Sequence, residues 1–283
     1  MSGRYIAENV KKRLYAESMG RCMNPECQHN LFSENGDILE KAHIDPYCET
    51  ANNTFENLDN PKCYAAWSKD EIRSTTASGG IFSAIASDFL DKEDYYVVGA
   101  VWKENYYVSH IVTNNKDDLS RIQNSKYVQS NTENTYEIVR DLLKDGKKVL
   151  YSGCPCQIAG LYSFIGEKND NLFTIDLICH GVPSTKILQK YLKDSYDCKE
   201  IKRLDFRDKS VFGWSTEMNI YMNNGEEVHT RASKDSFYQA FLSNLSLNPN
   251  CENCQFSRLP RQGDISIGDF WNIEKFDKTF NDG

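Results

Sequence analysis

Residues 148–152, KVLYS, and residues 173–179, FTIDLIC, are two short apolar runs rich in β-branched and aromatic side chains, with helical material between them. Two buried strands joined through a helix are most simply parallel neighbours in one sheet, because a parallel pair needs a long crossover connection. The same alternation surrounds them. TENTYEIVRDLLKDG (132–146) reads as a capped amphipathic helix stopped at Gly146, and YYVVGAVW and YYVSHIV read as two strands joined by the short turn KEN. IFSAIASDFL has helical periodicity and follows the small, flexible stretch from Ser74 to Gly80, so a Gly-rich turn opens a helix there. The expected class is α/β, a mixed sheet with helices and a cysteine-rich C-terminal loop region. Ligands of such sheets gather at the carboxyl ends of the strands, where Cys156 and Cys179 fall.

Ten cysteines in 283 residues are the second constraint. The chain shows no run of about 18 apolar residues and no apolar signal core, so neither a membrane span nor secretion is expected, and the setting reads as cytoplasmic. There, clustered cysteines point to metal or redox chemistry rather than structural disulfides. A net charge of −8 argues against a surface that coats nucleic acid, since phosphate binding needs clustered Lys and Arg.

A disulfide between Cys154 and Cys156 would close a very tight ring. Zinc would suit CENC (Cys251, Cys254) completed by Cys156 with Cys179 or His180, and a [4Fe–4S] cluster would take the same thiolates. Each of Cys156 and Cys179 taken singly also fits a small buried hydrophobe at a strand end. A nucleophilic cysteine has less support, because no His and Asn/Asp constellation is legible beyond His180.

PKCYAAWSKDEIRSTTASGGIFSAIA, NSKYVQS, LYSGCPCQIAGL, DLICHGVPS, FRDKSVFGW and CENCQFSRLPRQGDISIGDFW, in that order from residue 61, resemble the beta-subunit family of coenzyme F-420 hydrogenases and dehydrogenases. The resemblance implies an iron–sulfur flavoprotein oxidoreductase that passes electrons between a [4Fe–4S] cluster, FAD and a redox partner protein, partner subunit or soluble electron carrier. It implies Cys156, Cys179, Cys251 and Cys254 as cluster ligands. Cys154 then stands as a spare thiol, because in that family the proline-cysteine-glutamine step often follows a residue other than cysteine. The flavin is expected where Ser78, Gly79 and Gly80 open a helix whose N–H groups suit a diphosphate, with Lys126 and Tyr127 beside it. Asp264 and Asp269 are expected either to organise the cluster loop or to stand as solvated or capping carboxylates, and Trp271 to pack rather than relay electrons.

The N-terminal 5–58 stretch resembles a different family, the HNH endonucleases, through VKKRLYAESMGRCMNPEC, KAHIDP and NNTFENL. That resemblance implies His43 as general base, Asn57 as its orienting amide, and Cys22 and Cys27 as half of a zinc knuckle supporting metal-dependent nicking. The second C-x-x-C and the further His of that family are absent after Asn57-Leu58. The expected organisation is therefore a truncated, zinc-knuckle-like unit over 1–60 and a C-terminally truncated beta-subunit-like domain over 61–283. Ile6, Val10 and Leu14, at helical spacing, predict a helix over the first stretch.

Overall fold

The computed structural model describes residues 14–18, 21–22, 63–167, 169–196, 200–271 and 273–275. Its strands are β1 (Leu14–Ser18), β2 (Arg21–Cys22), β3 (Cys63–Ala66), β4 (Tyr95–Trp102), β5 (Val108–Thr113), β6 (Lys148–Gly153), β7 (Leu172–Leu177), β8 (Ile201–Phe206), β9 (Glu217–Met222), β10 (Glu227–Arg231) and β11 (Ile265–Ile267). The helices used below are α1 (Ile81–Leu90), α2 (Thr135–Lys144), α3 (Pro155–Ile165), α4 (Thr185–Ser195) and α5 (Ser236–Leu242).

The main sheet runs β2-β3-β1-β11-β7-β6-β4-β5, and β10-β9-β8 form a separate three-stranded sheet. β4, β6, β7 and β11 are parallel, and β5 closes the edge as the antiparallel partner of β4. The expected mixed sheet, the β4–β5 hairpin and the β6-α3-β7 crossover are all present. The segment from Leu14 is strand rather than the end of a helix, because its backbone groups pair with β3 on one side and β11 on the other. Cys27, His43 and Asn57 lie outside the described residues, and of Cys22 only the strand backbone is described. The zinc-knuckle reading therefore falls outside them too.

Alternation along the strands covers both faces of the sheet. Val97, Val101, Leu150 and Ile175 pack on one face against Ile81, Ile85 and Phe89 of α1. Val98, Val149 and Tyr151 pack on the other against Val139 and Leu143 of α2 and Ile158 and Leu161 of α3. Each of these buried aliphatic chains contributes about 2 kcal/mol by leaving water, which explains why a parallel sheet buried on both faces reads as nearly continuous apolar runs. A second core joins the small sheet (Leu204, Phe206, Met218, Ile220) to α4 and α5 through Leu188, Leu192, Phe237 and Phe241.

That second core is an excursion. The chain leaves the main sheet at the end of β7, builds α4, the small sheet and α5, and re-enters as β11 beside β7 with Ile265 opposite Ile175. A buried ion pair fixes the return. Arg261 donates from Nη2 to Asp176 Oδ1 at 3.1 Å and to the Leu177 carbonyl at 2.6 Å, while the amides of Gln262 and Gly263 donate to Asp176 Oδ2 at 2.9 and 3.0 Å. Gly263 has to be glycine, since a Cβ there would stand 2.6 Å from the Asp176 nitrogen.

His110 on β5 is buried, stacks on Tyr151 and donates from Nε2 to the Ser152 carbonyl at 3.1 Å. Facing that carbonyl, Nε2 must carry the proton, which leaves Nδ1 a buried acceptor with no partner. Burial brings its pKa down from 6.5 to about 4.

Two outcomes follow. Asp176→Asn leaves the Arg261 guanidinium buried beside a neutral amide and should cost about 3 kcal/mol or more, read as a lowered urea midpoint at unchanged slope. For His110, the unfolded state binds more protons than the folded state between the two pKa values, so its contribution to stability is complete above pH 6.5 and shrinks as pH falls toward about 4. Urea titrations at neutral pH and near the lower limit should differ by up to about 3 kcal/mol more in wild type than in His110→Gln.

Candidate functional site

Five thiols belong to three segments brought to one end of the sheet. β6 ends at Gly153, and α3 begins at once with Pro155 at its first turn, a position where proline's missing N–H costs nothing. Cys154 is the N-cap, its N–H held by Gln157 Oε1 at 2.9 Å, and Gln157 is itself anchored to the Ser130 hydroxyl and carbonyl at 3.0 and 3.1 Å. Cys156 lies two residues after Cys154, exposed, in the first turn of α3. Cys179 sits two residues beyond β7.

Cys251 lies in the short helical turn Pro249–Glu252, whose cap Asn248 accepts from the Asn250 amide at 3.0 Å. The Asn248 amide donates to the Val182 carbonyl at 2.8 Å, and Leu247 bridges Pro183, so the CENC segment is tied to the loop after Cys179. Gly181 makes the close approach possible. Its φ is +132°, and a Cβ there would lie 2.7 Å from Leu247 Cδ1 and 3.3 Å from Cys251 Cβ.

The thiols feel one another. Cys154 and Cys179 share a sulfur–sulfur contact of 3.8 Å. That contact holds the Cys179 pKa down to about 7, helped by the Gly181 amide and the Arg261 charge, and it raises Cys154, which burial raises further. Burial also raises Cys156, and the charges of Cys179, Cys254 and Cys251 add to the effect. All four residues expected as ligands thus interact electrostatically as one group, and Cys154 belongs to that group as well. His180 turns away, with Nε2 against the Phe241 carbonyl at 3.3 Å and its ring edge on Phe241. Among the described residues no three Cys, His, Asp or Glu side chains close around one point as holders of a single ion.

Beside the thiols lies a cleft of 300 Å³. Ser78, Gly79, Gly80, Lys126 and Tyr127 all line it, and so does Cys154 on the wall nearest the other cysteines. Gly80 is the N-cap of α1 with φ +79°, the left-handed turn that aims the first helical N–H groups at the cleft. Asn124, also left-handed at φ +69°, braces this turn by accepting from the Ala77 amide at 2.8 Å. Lys126 is held inward by the Gln123 and Asn124 carbonyls at 2.8 and 3.3 Å, and burial lowers its ammonium pKa to about 7. Tyr127 packs on Phe206, Tyr238 and Phe241, so it joins the cleft to the second core.

Sequence reasoning gave the FRDKS segment no role, yet it supplies one cation to this wall and a second behind the Ser78 turn. Arg207 is buried, takes a left-handed φ of +61°, and donates from Nη1 to Asp269, which in turn accepts from the Ser78 hydroxyl. Its Nε and Nη2 are buried with no hydrogen-bond partner, and the guanidinium lies over the Trp271 ring at 5.3 Å and the Trp214 ring at 5.9 Å. Lys209 donates to the Ser78 carbonyl at 2.7 Å and the Arg73 carbonyl at 3.0 Å, clamping the turn from outside. A basic pair just after the alternating strand IKRLDF was the available signal.

Asp269 therefore organises the Ser78 turn rather than the cysteine loop. Asp264 is a strand tie, accepting from the Thr174 amide at 2.8 Å and the Thr174 hydroxyl at 3.2 Å. Trp271 is half exposed and stacked on Trp214 at 4.5 Å, so it packs at the surface and not in the core.

Two family models match: the coenzyme F420 hydrogenase/dehydrogenase beta subunit N-terminal model over residues 63–135 and the C-terminal model over residues 146–280. No curated protein matches. Among solved structures the chain is similar to one of the F420-reducing [NiFe] hydrogenase complex from Methanosarcina barkeri, with 19% identity over 68% of this chain and 66% of that chain and a TM-score of 0.46. The chain thus spans just under two thirds of that protein's length. Since the two models together cover most of the sequence, the chain belongs to the coenzyme F420 hydrogenase/dehydrogenase beta subunit family.

Proposed function

We propose that this chain is an iron–sulfur flavoprotein module that relays electrons between a [4Fe–4S] cluster, a flavin in the cleft, and a partner subunit or soluble carrier. The observation that carries the reading is the shared wall: Cys154 lines the cleft that begins at Ser78-Gly79-Gly80 and touches Cys179 on its other side. A flavin in that cleft and a cluster on those thiols would be separated by little more than one side chain.

The donor set fits a cluster. Thiolates are soft ligands that suit zinc or iron–sulfur centres, and four of the five thiols come from one C-x-x-C pair plus two remote residues. Two thiolates on one tetrahedral ion at 2.3 Å would lie about 3.8 Å apart, whereas cubane ligands sit on different irons and spread to about 7 Å. The Cys154–Cys179 contact of 3.8 Å is too short for two such cubane positions. This favours Cys156 over Cys154 as the partner of Cys179, Cys251 and Cys254.

In the cleft, Ser78, Gly79 and Gly80 present the α1 amides to a diphosphate, and the two free Arg207 nitrogens supply a charge beside them. Asp269 holds Arg207 by its third nitrogen and keeps the fork oriented. Lys126, titrating near neutrality, offers a proton or a charge to the ligand's polar edge. The bound cofactors supply the electron transfer itself, joining two-electron to one-electron chemistry. The family name and the half-exposed Trp214–Trp271 stack support a partner subunit. Among the described residues no helix is long and apolar enough to cross a membrane.

Anaerobic purification tests the reading. The protein should be brown, absorb near 400 nm, contain iron and acid-labile sulfide in equal amounts, and release FAD on denaturation; colourless protein carrying zinc would refute it. Cys156→Ser should remove the visible band, and Cys154→Thr should keep it. Gly181→Ala should lower iron content while secondary structure by circular dichroism stays the same. Arg207→Lys keeps the charge but loses the fork, and should weaken FAD binding roughly tenfold to a hundredfold by fluorescence titration, the value of a charge-assisted hydrogen bond of about 1.5–3 kcal/mol.

A further inference from the structure

Cys154 lies in the wall between the cleft and the thiols without being one of the ligands proposed above, and its position is specific. It leaves β6 as Cys179 leaves β7, and the two strands are parallel neighbours with Gly153 opposite Asp176. Both cysteines therefore start from the same end of the sheet, beyond the carboxyl ends of neighbouring strands, and their sulfurs meet at 3.8 Å. No other cysteine pair among the described residues makes such a contact. We propose that Cys154 and Cys179 form a reversible disulfide in the iron-free protein, and that this bond decides whether the cysteine set can accept a cluster.

The bond needs the sulfurs to close from contact to about 2.0 Å, a movement within reach of rotation about the two Cα–Cβ bonds. Cys156 is a poor rival for Cys179 as the partner of Cys154, since a ring through Pro155 would have to unwind the first turn of α3. Cys251 approaches the same loop through its Cβ, but it meets the backbone at Gly181 rather than the Cys179 sulfur.

The oxidant is a low-molecular-weight disulfide, which reaches the pair from the cleft that Cys154 lines. One protein sulfur, as thiolate, attacks the reagent's S–S bond and expels one small thiolate. The second protein sulfur then attacks the resulting mixed disulfide and expels the other. Two protein thiols lose two electrons and two protons, and the reagent gains both as two small thiols. A dithiol is restored by the reverse exchange. Transient, redox-sensing bonds of this sort are the form in which disulfides occur in reducing compartments.

The consequence for the cluster rests on the ligand set proposed above. With Cys179 oxidised, Cys156, Cys251 and Cys254 are one thiolate short, and Cys154 is itself consumed. A bound cluster would in turn protect Cys179, so iron loading and disulfide formation exclude each other.

The test uses the full chain, stripped of metal by chelation and fully reduced, then treated with oxidised glutathione. Peptide mapping without reductant should find the Cys154 and Cys179 peptides joined with loss of two hydrogens, and dithiothreitol should separate them. Oxidised wild type should take up no iron in reconstitution with ferrous iron and sulfide until dithiothreitol is added. Cys154→Thr should take up the same iron before and after oxidant. The proposal is overturned if both cysteines remain open to alkylation after oxidant, if oxidised and reduced wild type load iron equally, or if Cys154→Thr loses iron uptake as wild type does. Failure of the cluster reading shows separately, as reduced wild type that takes up no iron, and the peptide linkage is read with no metal present.

Discussion

The buried pair of Asp176 and Arg261 is the contact on which the candidate site depends. Asp176 is the penultimate residue of β7, three positions before Cys179, and Arg261 lies seven positions after Cys254. A buried ion pair contributes little net stability, because desolvation cancels most of the attraction. Its worth here is registration. The carboxylate accepts from Arg261, Gln262 and Gly263 together, and Arg261 also reaches Ser266 Oγ at 3.1 Å, so the returning chain can enter β11 in only one alignment. More than eighty residues of excursion separate these partners, and the pair fixes the returning chain against β7 while Asn248–Val182 and Leu247–Pro183 tie the CENC segment to the loop after Cys179. The same guanidinium lowers the Cys179 pKa, so one group both sets the geometry and favours the thiolate.

A second polar chain joins the two cores at the cleft. Ser78 precedes α1 on the main sheet, Asp269 follows β11, and Arg207 follows β8 on the small sheet. These three residues come from three distant parts of the sequence and bond in series. The Arg207 guanidinium lies 5.3 Å from the Trp271 ring and 5.9 Å from the Trp214 ring, which offsets only part of the cost of two buried nitrogens without hydrogen bonds, and its left-handed backbone adds strain. Such costs persist where function requires them. An anionic group in the cleft would satisfy the free nitrogens, and this is why Arg207 carries more information about the ligand than the glycines of the turn.

Much of this was legible in the sequence, for local reasons. The crossover from KVLYS to FTIDLIC, the helix at 135–144 and the hairpin through KEN each depend on periodicity and capping within a few residues, and the structure shows them. Ser78, Gly79, Gly80, Lys126 and Tyr127 do share one cleft. What escaped were long-range polar contacts. Nothing in the neighbourhood of Arg207 or Asp269 shows that they meet, and nothing near Asp264 reveals its tie to Thr174. Of Ile6, Val10 and Leu14, whose spacing predicts a helix, the first two lie outside the described residues, and from Leu14 the chain is a strand decided by its neighbours in the sheet.

The CPC step illustrates how a single turn serves two sites. A cap residue keeps extended φ and ψ, and Cys154 does so at −65° and 154°, whereas Cys156 already follows the helical turn. Adjacent positions astride a helix start point in different directions, so the first sulfur meets the cleft wall and Cys179 while the second faces the thiols of the C-terminal loop. Pro155 makes the change of direction abrupt by fixing φ in the first helical turn. With a threonine at position 154 the cap would persist and the link to Cys179 would not. The sulfur of Cys154 thus adds nothing the fold requires, and what it adds instead is a thiol within contact of Cys179, on the side of the cleft.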